Sequence, residues 1–316
     1  MTKIVDFTEN QILSDIKFLI KTADILQTRT GKDYLNLTLA DDSGEINAKV
    51  WNITEDDKRD LIAGKVCVLS GKITSYNGNL QVTIYEITTK VDQDFTGLIK
   101  SAPEGKDELL KEFNSFKDQI HDHVYKTIVD ELLDEYGQEF LTYPAAKRIH
   151  HNYQNGLLEH TVSILKLVKT FANQYPQADR ELLYAGAILH DLGKVIEYSG
   201  VLDTHKTTAG ILLGHISIVD GMIAAVANKL NLVDSDNLYS ENNHVTLLRH
   251  VVLAHHGKLE YGSPVEPMII EAVLLNKADD LDAEMNTLSQ AETKTADNDW
   301  TDKIFSEGNR KFYKHN

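Results

Sequence analysis

The sequence contains a single cysteine, Cys67, in 316 residues. One cysteine cannot form an intrachain disulfide, so we expect a protein of a reducing compartment. The chain also lacks any apolar run of about 18 residues, the length that a membrane-spanning helix needs. Its first residues carry acids where a signal peptide would carry basic residues. These absences predict a cytosolic protein that does not bind a membrane.

Basic residues are scarce as well. The chain has 32 Lys and Arg against 48 Asp and Glu, which gives a net charge of −16. This balance excludes a protein held on nucleic acid by its overall positive charge, although a local basic groove is compatible with it. Apolar residues make up 42% and charged residues 25%, as in soluble globular proteins. The length favours two domains.

The first part of the chain has the pattern of a small β-barrel. Polar and apolar residues alternate in five short runs, which cover residues 17–28, 33–42, 44–51, 65–76 and 80–89. Asn77-Gly78 separates the last two runs and is a strong hairpin signal. A helix-favouring segment lies between the third and fourth runs. This order predicts an oligonucleotide/oligosaccharide-binding (OB) fold, a five-stranded barrel, over residues 1–92.

After residue 92 the periodicity becomes helical almost to the end of the chain. We expect a linker and helical connector over 93–145, an all-helical domain over 146–290, and a C-terminal tail over 291–316. The pattern predicts one continuous helix over 108–124 and another over 180–195. The predicted fold class is therefore an N-terminal β-barrel followed by an all-α domain.

Histidines and aspartates recur at the ends of the apolar helices. They are His160, His190, Asp191, His215, His255, His256 and Asp279. Taken singly, each histidine is best explained as an ordinary core residue. A set of such groups among residues that should be buried is costly unless they pair or bind a metal. Imidazole and carboxylate together favour a divalent transition metal such as Mn²⁺, Co²⁺, Fe²⁺ or Zn²⁺.

The dipeptide His121-Asp122 provides a contrast within the same chain. It repeats the pair His190-Asp191, but its neighbours in DQIHDHVYK are mostly polar. We interpret it as a solvated helix face without a functional role.

The ordered motifs GLLEHT, AGAILHDLGK and NKADDLD resemble the metal site of the HD-domain phosphohydrolase superfamily. LLGHIS, VLAHHGKLEYGSP and SEGNRKFYK extend the similarity to one family, the YhaM-type 3′–5′ exoribonucleases. Members of that family have an N-terminal OB-type barrel followed by an HD domain, the same order as predicted above. The resemblance covers nearly the whole chain.

The resemblance implies a role for each of these residues. His160, His190, Asp191 and Asp279 would hold one metal ion, and Asp191 would bridge to a second ion held by His215 and His255. Two ions, with Mn²⁺ favoured, suit phosphodiester hydrolysis. Asp279 is preferred over Asp280 because Leu275 and Ala272 lie on the same predicted helix face.

Four further residues are weaker candidates. Lys194 is suited to contact a phosphate oxygen, and it could equally be a solvated surface lysine. His256 could assist the leaving oxygen or play a structural role. His150 and His151 resemble the pair that precedes the first ligand in the family and are candidates on the substrate side.

The barrel is expected to bind single-stranded RNA, and single-stranded DNA as a further possibility, by stacking bases on aromatic rings beside lysines. The candidate rings are Tyr34, Trp51, Tyr76 and Tyr85, of which Tyr34 and Tyr76 flank turns and are preferred. Trp51 is expected to close the barrel core. The lysines near these rings are Lys32, Lys49 and Lys72.

The leading hypothesis is a 3′–5′ exoribonuclease that releases nucleoside monophosphates. One alternative is an HD phosphohydrolase of free or cyclic nucleotides, although such substrates need no strand-binding barrel. The cyclic-dinucleotide enzymes also carry Gly-Tyr-Pro where this chain has Gly257-Lys258 after its histidine pair. Another alternative is a non-catalytic single-strand-binding factor for replication or regulation, which would not need the complete ligand set. The sequence does not indicate an oligomeric state.

Overall fold

The structure is a computed structural model that describes residues 3–28, 30–76, 78–92, 97–98, 105–143, 155–200, 205–232 and 243–315. The chain divides near residue 101 into two compact units. Within the described residues, no helix combines the length and the apolar character needed to cross a membrane.

The N-terminal unit is a closed five-stranded barrel with the strand order β1-β2-β3-β5-β4. Its elements are β1 (Ile12–Gln27), β2 (Asp33–Asp41), β3 (Gly44–Trp51), α1 (Glu55–Asp60), β4 (Val66–Tyr76) and β5 (Asn79–Thr88). Neighbouring strands are antiparallel except for β3 and β5, which run parallel. The predicted OB-type barrel is therefore confirmed.

Local sequence explains how these elements begin and end. A capping box between Thr54 and Asp57 starts α1. Gly78 has a φ of +81° in the connection between β4 and β5, as the hairpin signal predicted. The barrel interior is filled by alternate residues of the strands, including Phe18, Leu37 and Ile73.

The first strand is longer than its pattern suggested. β1 begins at Ile12, whereas the alternation predicted a start at residue 17. The register with β4 shifts between Leu13 and Ile16, where Asp15 has a φ of +51°. This irregularity breaks the alternation from which a strand is recognised in sequence.

The second unit is helical. Its helices are α2 (Lys106–Lys117), α3 (His123–Phe140), α4 (Gly156–Gln174), α5 (Arg180–Leu189), α6 (Lys194–Glu197), α7 (Thr208–Leu212), α8 (Gly214–Lys229), α9 (His244–Leu253) and α10 (Ile270–Thr293). A short hairpin follows, of β6 (Asp299–Trp300) and β7 (Tyr313–Lys314). One continuous hydrophobic core joins α2 and α3 to the later helices, with Phe116 packed against Tyr184.

Two predicted helices are interrupted. The helix predicted over 108–124 ends at Lys117, and a new helix starts where the side chain of Asp122 accepts hydrogen bonds from the backbone N–H groups of Val124 and Tyr125. His121 is exposed in the loop between the two helices, so the prediction of a helix face there was wrong. The helix predicted over 180–195 breaks after Leu189, and residues 190–193 form a turn.

Candidate metal centre and strand-binding surface

Asp191 lies at the centre of the histidine and aspartate cluster, in the turn between α5 and α6. It is buried, with 3% of its surface exposed. Its Oδ2 lies 3.4 Å from Nε2 of His160 and 3.4 Å from Nε2 of His190. Its Oδ1 lies 3.3 Å from Nε2 of His215 and 4.0 Å from Nε2 of His255. The two oxygens of one carboxylate therefore face two different pairs of imidazoles.

Each pair of imidazoles gains a third potential ligand. Asp279, on α10, places Oδ1 3.2 Å from Nε2 of His160, and these two residues with His190 form one group with metal-ligand spacing. His256 joins His215 and His255 in a second such group. Asp280 instead is exposed and pairs with Lys277. The geometry therefore brings together every residue that the resemblance implied as a metal ligand.

All five imidazoles are held through their Nδ1 atoms. Each Nδ1 lies within 2.6–2.9 Å of an oxygen acceptor. The acceptors are Asp282 for His160, the Ala187 carbonyl for His190, Glu197 for His215, the Val252 carbonyl for His255 and the Tyr261 carbonyl for His256. Because an oxygen acceptor fixes the proton on Nδ1, Nε2 is left as the ligating atom.

Three buried atoms at the centre have no hydrogen-bond partner among the described residues. They are Oδ1 of Asp191, Nε2 of His215 and Nε2 of His255. A buried acceptor without a partner is costly, and a cation between these atoms would satisfy all three at once. The residues present therefore fit a metal ion.

The charge states also suit metal binding. Burial lowers the pKa of His215, and burial and the neighbouring His190 hold the pKa of His255 well below its usual range. Both imidazoles are therefore neutral, which is the ligating form. Burial would raise the pKa of Asp191, but the adjacent Lys194 and His190 outweigh it and keep that pKa well below the ordinary value.

His160 differs from the other imidazoles. Burial lowers its pKa, but the hydrogen bonds with Asp279 and Asp282 outweigh burial and raise the pKa to about 10. The two carboxylates thus stabilise a positive charge at this position. A metal cation beside the same carboxylates would replace the proton on Nε2.

Sequence reasoning missed two carboxylates that orient these ligands. Asp282 accepts a hydrogen bond from Nδ1 of His160 and contacts the hydroxyl of Ser163. Glu197 accepts one from Nδ1 of His215 and pairs with Lys206. Burial would raise the pKa of Glu197, but these two partners lower it to about 2. Asp282 lies one helical turn after Asp279, and Glu197 lies one helical turn after Lys194. This spacing was the sequence signal that could have identified them.

Lys194 is not a solvated surface lysine. Its ammonium group lies 2.6 Å from Oδ2 of Asp191, and only 16% of its side chain is exposed. The lysine therefore places a positive charge directly at the centre of the cluster.

The turn that carries Asp191 requires a glycine. A Cβ atom at Gly193 would overlap the backbone carbonyl oxygen of His215. Because residue 193 has no side chain, the start of α8 can pass close to the turn, and this approach brings His215 to Asp191.

A second candidate site lies on the barrel surface around Lys49. Its Nζ lies 6.0 Å from the ring centroid of Tyr34, 5.8 Å from Trp51 and 5.5 Å from Tyr76. The rings of Tyr34 and Trp51 stack on each other, with centroids 4.7 Å apart. We call these four residues the Lys49 group. It presents flat rings and a cation on the outside of the barrel, as single-strand-binding surfaces do.

The expectation that Trp51 closes the barrel core was wrong, since half of its side chain is exposed. Ile46 and Ala48 point inward on β3, so the alternation of the strand turns Trp51 outward. Of the other predicted lysines, Lys32 is exposed beside β2 and Lys72 lies half-buried on β4. His150 and His151 lie outside the described residues.

Comparisons with known proteins agree with both units. The family model for the HD domain matches residues 157–284, and that for an OB-fold nucleic acid binding domain matches residues 19–89. A solved structure, the second OB-fold domain of replication protein A from Methanococcus maripaludis, is 20% identical over 29% of this chain and 98% of its own. Its TM-score of 0.23 is too low to carry an argument. The chain thus combines an OB-fold nucleic acid binding domain with an HD domain, the domain of metal-dependent phosphohydrolases.

Proposed function

We propose that this protein is a metal-dependent exoribonuclease that removes nucleoside monophosphates from the 3′ end of single-stranded RNA. The 3′–5′ direction and the preference for RNA rest on the resemblance to the YhaM-type enzymes. Single-stranded DNA is a second substrate to be tested.

The observation that carries the proposal is the position of Asp191 between two groups of imidazoles. The Oδ2 atom faces His160 and His190, and the Oδ1 atom faces His215 and His255. In the proposed enzyme each oxygen of Asp191 would help to hold one divalent ion together with the imidazoles that it faces, with Mn²⁺ as the favoured metal. Such ions supply Lewis acidity that activates a water molecule and the phosphate group.

The protein residues have separable tasks in this reaction. The ions would be held by five further residues, His160, His190, His215, His255 and Asp279. Hydrogen bonds at Nδ1 already orient the four imidazoles, so little rearrangement would be needed on binding. Lys194 contributes a positive charge that a phosphate oxygen can approach. His256 is partly exposed beside His215, with its Nε2 left for the leaving oxygen or for a metal.

The Lys49 group supports a strand substrate over a free nucleotide. Stacking on flat rings is tolerant of base sequence, and the single lysine in the group gives modest affinity that depends on salt. An enzyme that acts on many RNA sequences and then releases them needs both properties.

The test uses purified protein with single-stranded RNA and DNA labelled at the 3′ or the 5′ end, with and without Mn²⁺. We expect mononucleotide release from 3′-labelled RNA at the earliest times, progressive shortening of 5′-labelled RNA, and no reaction after chelation. Hydrolysis of free or cyclic nucleotides without strand shortening would favour the free-nucleotide phosphohydrolase. Strand binding without hydrolysis would favour the non-catalytic binding factor.

A further inference from the structure

The loop that follows the histidine pair is fixed against the metal centre. Gly257 has a φ of +78°, and a Cβ there would lie 2.6 Å from the amide nitrogen of Asn276. The same Asn276 donates a hydrogen bond to the carbonyl of His255. Gly257, the first residue of the loop, therefore lies against Asn276 of α10. The same asparagine fixes the backbone of His255, a candidate metal ligand.

The loop then closes on itself. The backbone N–H of Ser263 donates to the carbonyl of Lys258 at 3.3 Å, and Ser263 is buried. The carbonyl of Tyr261 accepts the hydrogen bond from Nδ1 of His256 at 2.9 Å. The tip of the loop is thus held directly beside an imidazole of the second histidine group.

Apolar side chains project into solvent from this tip. Leu259 is 63% exposed and Tyr261 is 58% exposed, so neither contributes a full side chain to the core. The ammonium group of Lys258 lies 5.0 Å from the centroid of the Tyr261 ring. The loop therefore presents a flat ring with a cation on one side, the same combination that the barrel presents around Lys49.

A second exposed apolar segment directly precedes a candidate metal ligand in the chain. Ile211, Leu212 and Leu213 are each at least 60% exposed, and His215 follows them after one glycine. The rings of His215 and His256 have centroids 5.2 Å apart. Exposed apolar side chains therefore lie close in the chain to both His215 and His256.

We propose that Tyr261 is a positioning residue, which stacks on the base of the terminal nucleotide while the phosphate of that nucleotide lies at the metal centre. Lys258 places its cation beside the same nucleotide. This role of Tyr261 rests on the proposed function and specifies how the site binds the end of its substrate. It also explains why a ring stands exposed on a loop that is hydrogen-bonded to His256.

The experiment compares two short single-stranded RNAs that differ only in the terminal nucleotide, which is intact in one and abasic in the other. We expect the wild-type enzyme to prefer the intact RNA by about tenfold in kcat/KM, mainly through KM. Tyr261→Leu keeps an apolar side chain but removes the ring, so this preference should disappear. Tyr261→Phe restores the ring and should restore the preference.

Metal content and a control variant separate this role from general damage. Tyr261→Leu should retain the wild-type metal content, because it is the backbone carbonyl of residue 261 that accepts the hydrogen bond from Nδ1 of His256. Tyr175 provides the control. It is an exposed tyrosine just after α4, about 22 Å along the axis from His160 at 1.5 Å per residue. Tyr175→Leu should keep the full preference for the intact RNA.

The outcomes distinguish this inference from the proposed function. A wild-type enzyme that hydrolyses both RNAs equally well, or a Tyr261→Leu variant that keeps the preference, overturns the inference alone. A wild-type protein that hydrolyses neither RNA overturns the proposed function and the inference with it.

Discussion

Asp191 illustrates how much of this site depends on single atoms. Its carboxylate is buried, and each of its oxygens faces a different pair of imidazoles. Lys194 pairs with Oδ2 and neutralises part of the charge, whereas Oδ1 has no hydrogen-bond partner among the described residues. The cluster is therefore arranged to bind cations on both sides of one carboxylate.

Replacing Asp191 with Asn keeps the shape of the side chain and removes its negative charge. Removal of a residue that only supports a metal ligand lowers activity by about 10- to 100-fold. Asp191 is itself a candidate ligand, so we expect the rate of RNA hydrolysis to fall by more than about a hundredfold. Metal content, measured by mass spectrometry, should fall as well.

His121→Ala is the matched control for this change. His121 also precedes an aspartate, but it is exposed in the loop before α3. The variant should keep wild-type metal content and hydrolysis. Loss of metal in this variant would show that the site does not lie on the later helices.

The carboxylates behind the imidazoles give a second prediction at the residue scale. Glu197→Gln and Asp282→Asn each weaken the hold on one imidazole, His215 or His160, while leaving the candidate ligands in place. Metal affinity should fall by about 10- to 100-fold in each variant. Calorimetric titration with Mn²⁺ measures this directly, and unchanged affinity in both variants would show that the imidazoles need no such support.

At the scale of elements, the turn between α5 and α6 decides whether the two histidine groups can share Asp191. Gly193→Ala would push the added methyl group against the backbone of His215 at the start of α8. We expect a destabilisation of about 1–3 kcal/mol from this overlap, with reduced metal binding. Chemical denaturation and metal titration measure the two effects.

A glycine elsewhere in the same unit provides the comparison. Gly137 lies within α3, and a Cβ there would meet no described atom within 4 Å. Gly137→Ala should therefore be neutral or stabilise the helix by up to about 1 kcal/mol. If both glycine variants behaved alike, the close approach at Gly193 would not matter.

At the scale of the whole molecule, the barrel is expected to bind the strand while the helical unit performs the hydrolysis. Trp51→Ala in the full-length protein removes one exposed ring of the Lys49 group. Stacking contributes about 1–3 kcal/mol per base, so affinity for long RNA should fall by at least about fivefold. A dinucleotide offers few bases for the barrel to stack and should be affected much less.

Tyr85→Ala is the control for the barrel surface. Tyr85 is 65% exposed on β5 and lies outside the Lys49 group. It should leave the affinity for long RNA close to the wild-type value in fluorescence anisotropy titrations. An equal loss in both variants would mean that strand binding is spread over the barrel rather than centred on Lys49.

Local pattern was sufficient for much of the architecture. Alternation along the strands predicted the barrel, and helical periodicity predicted the all-α unit, because each pattern reflects the geometry of its own element. Where the structure differed, a local irregularity was responsible: Asp15 broke the alternation in β1, and the capping side chain of Asp122 divided a predicted helix. The alternation of β3 also indicates that Trp51 points outward, whereas its large aromatic side chain alone is typical of a core residue.

The sequence by itself determined the kinds of side chain at the candidate site, since His160, His190, Asp191, His215, His255 and Asp279 stand out among apolar neighbours. Only the tertiary structure decided which atoms meet. The division of the imidazoles between the two oxygens of Asp191 depends on how helices distant in sequence pack together. Asp282 and Glu197 accept hydrogen bonds from Nδ1 of His160 and His215, which leaves Nε2 free, and these bonds join residues 122 and 18 positions apart. Periodicity records which face of a helix is buried, whereas contacts between helices depend on the packing of all of them at once.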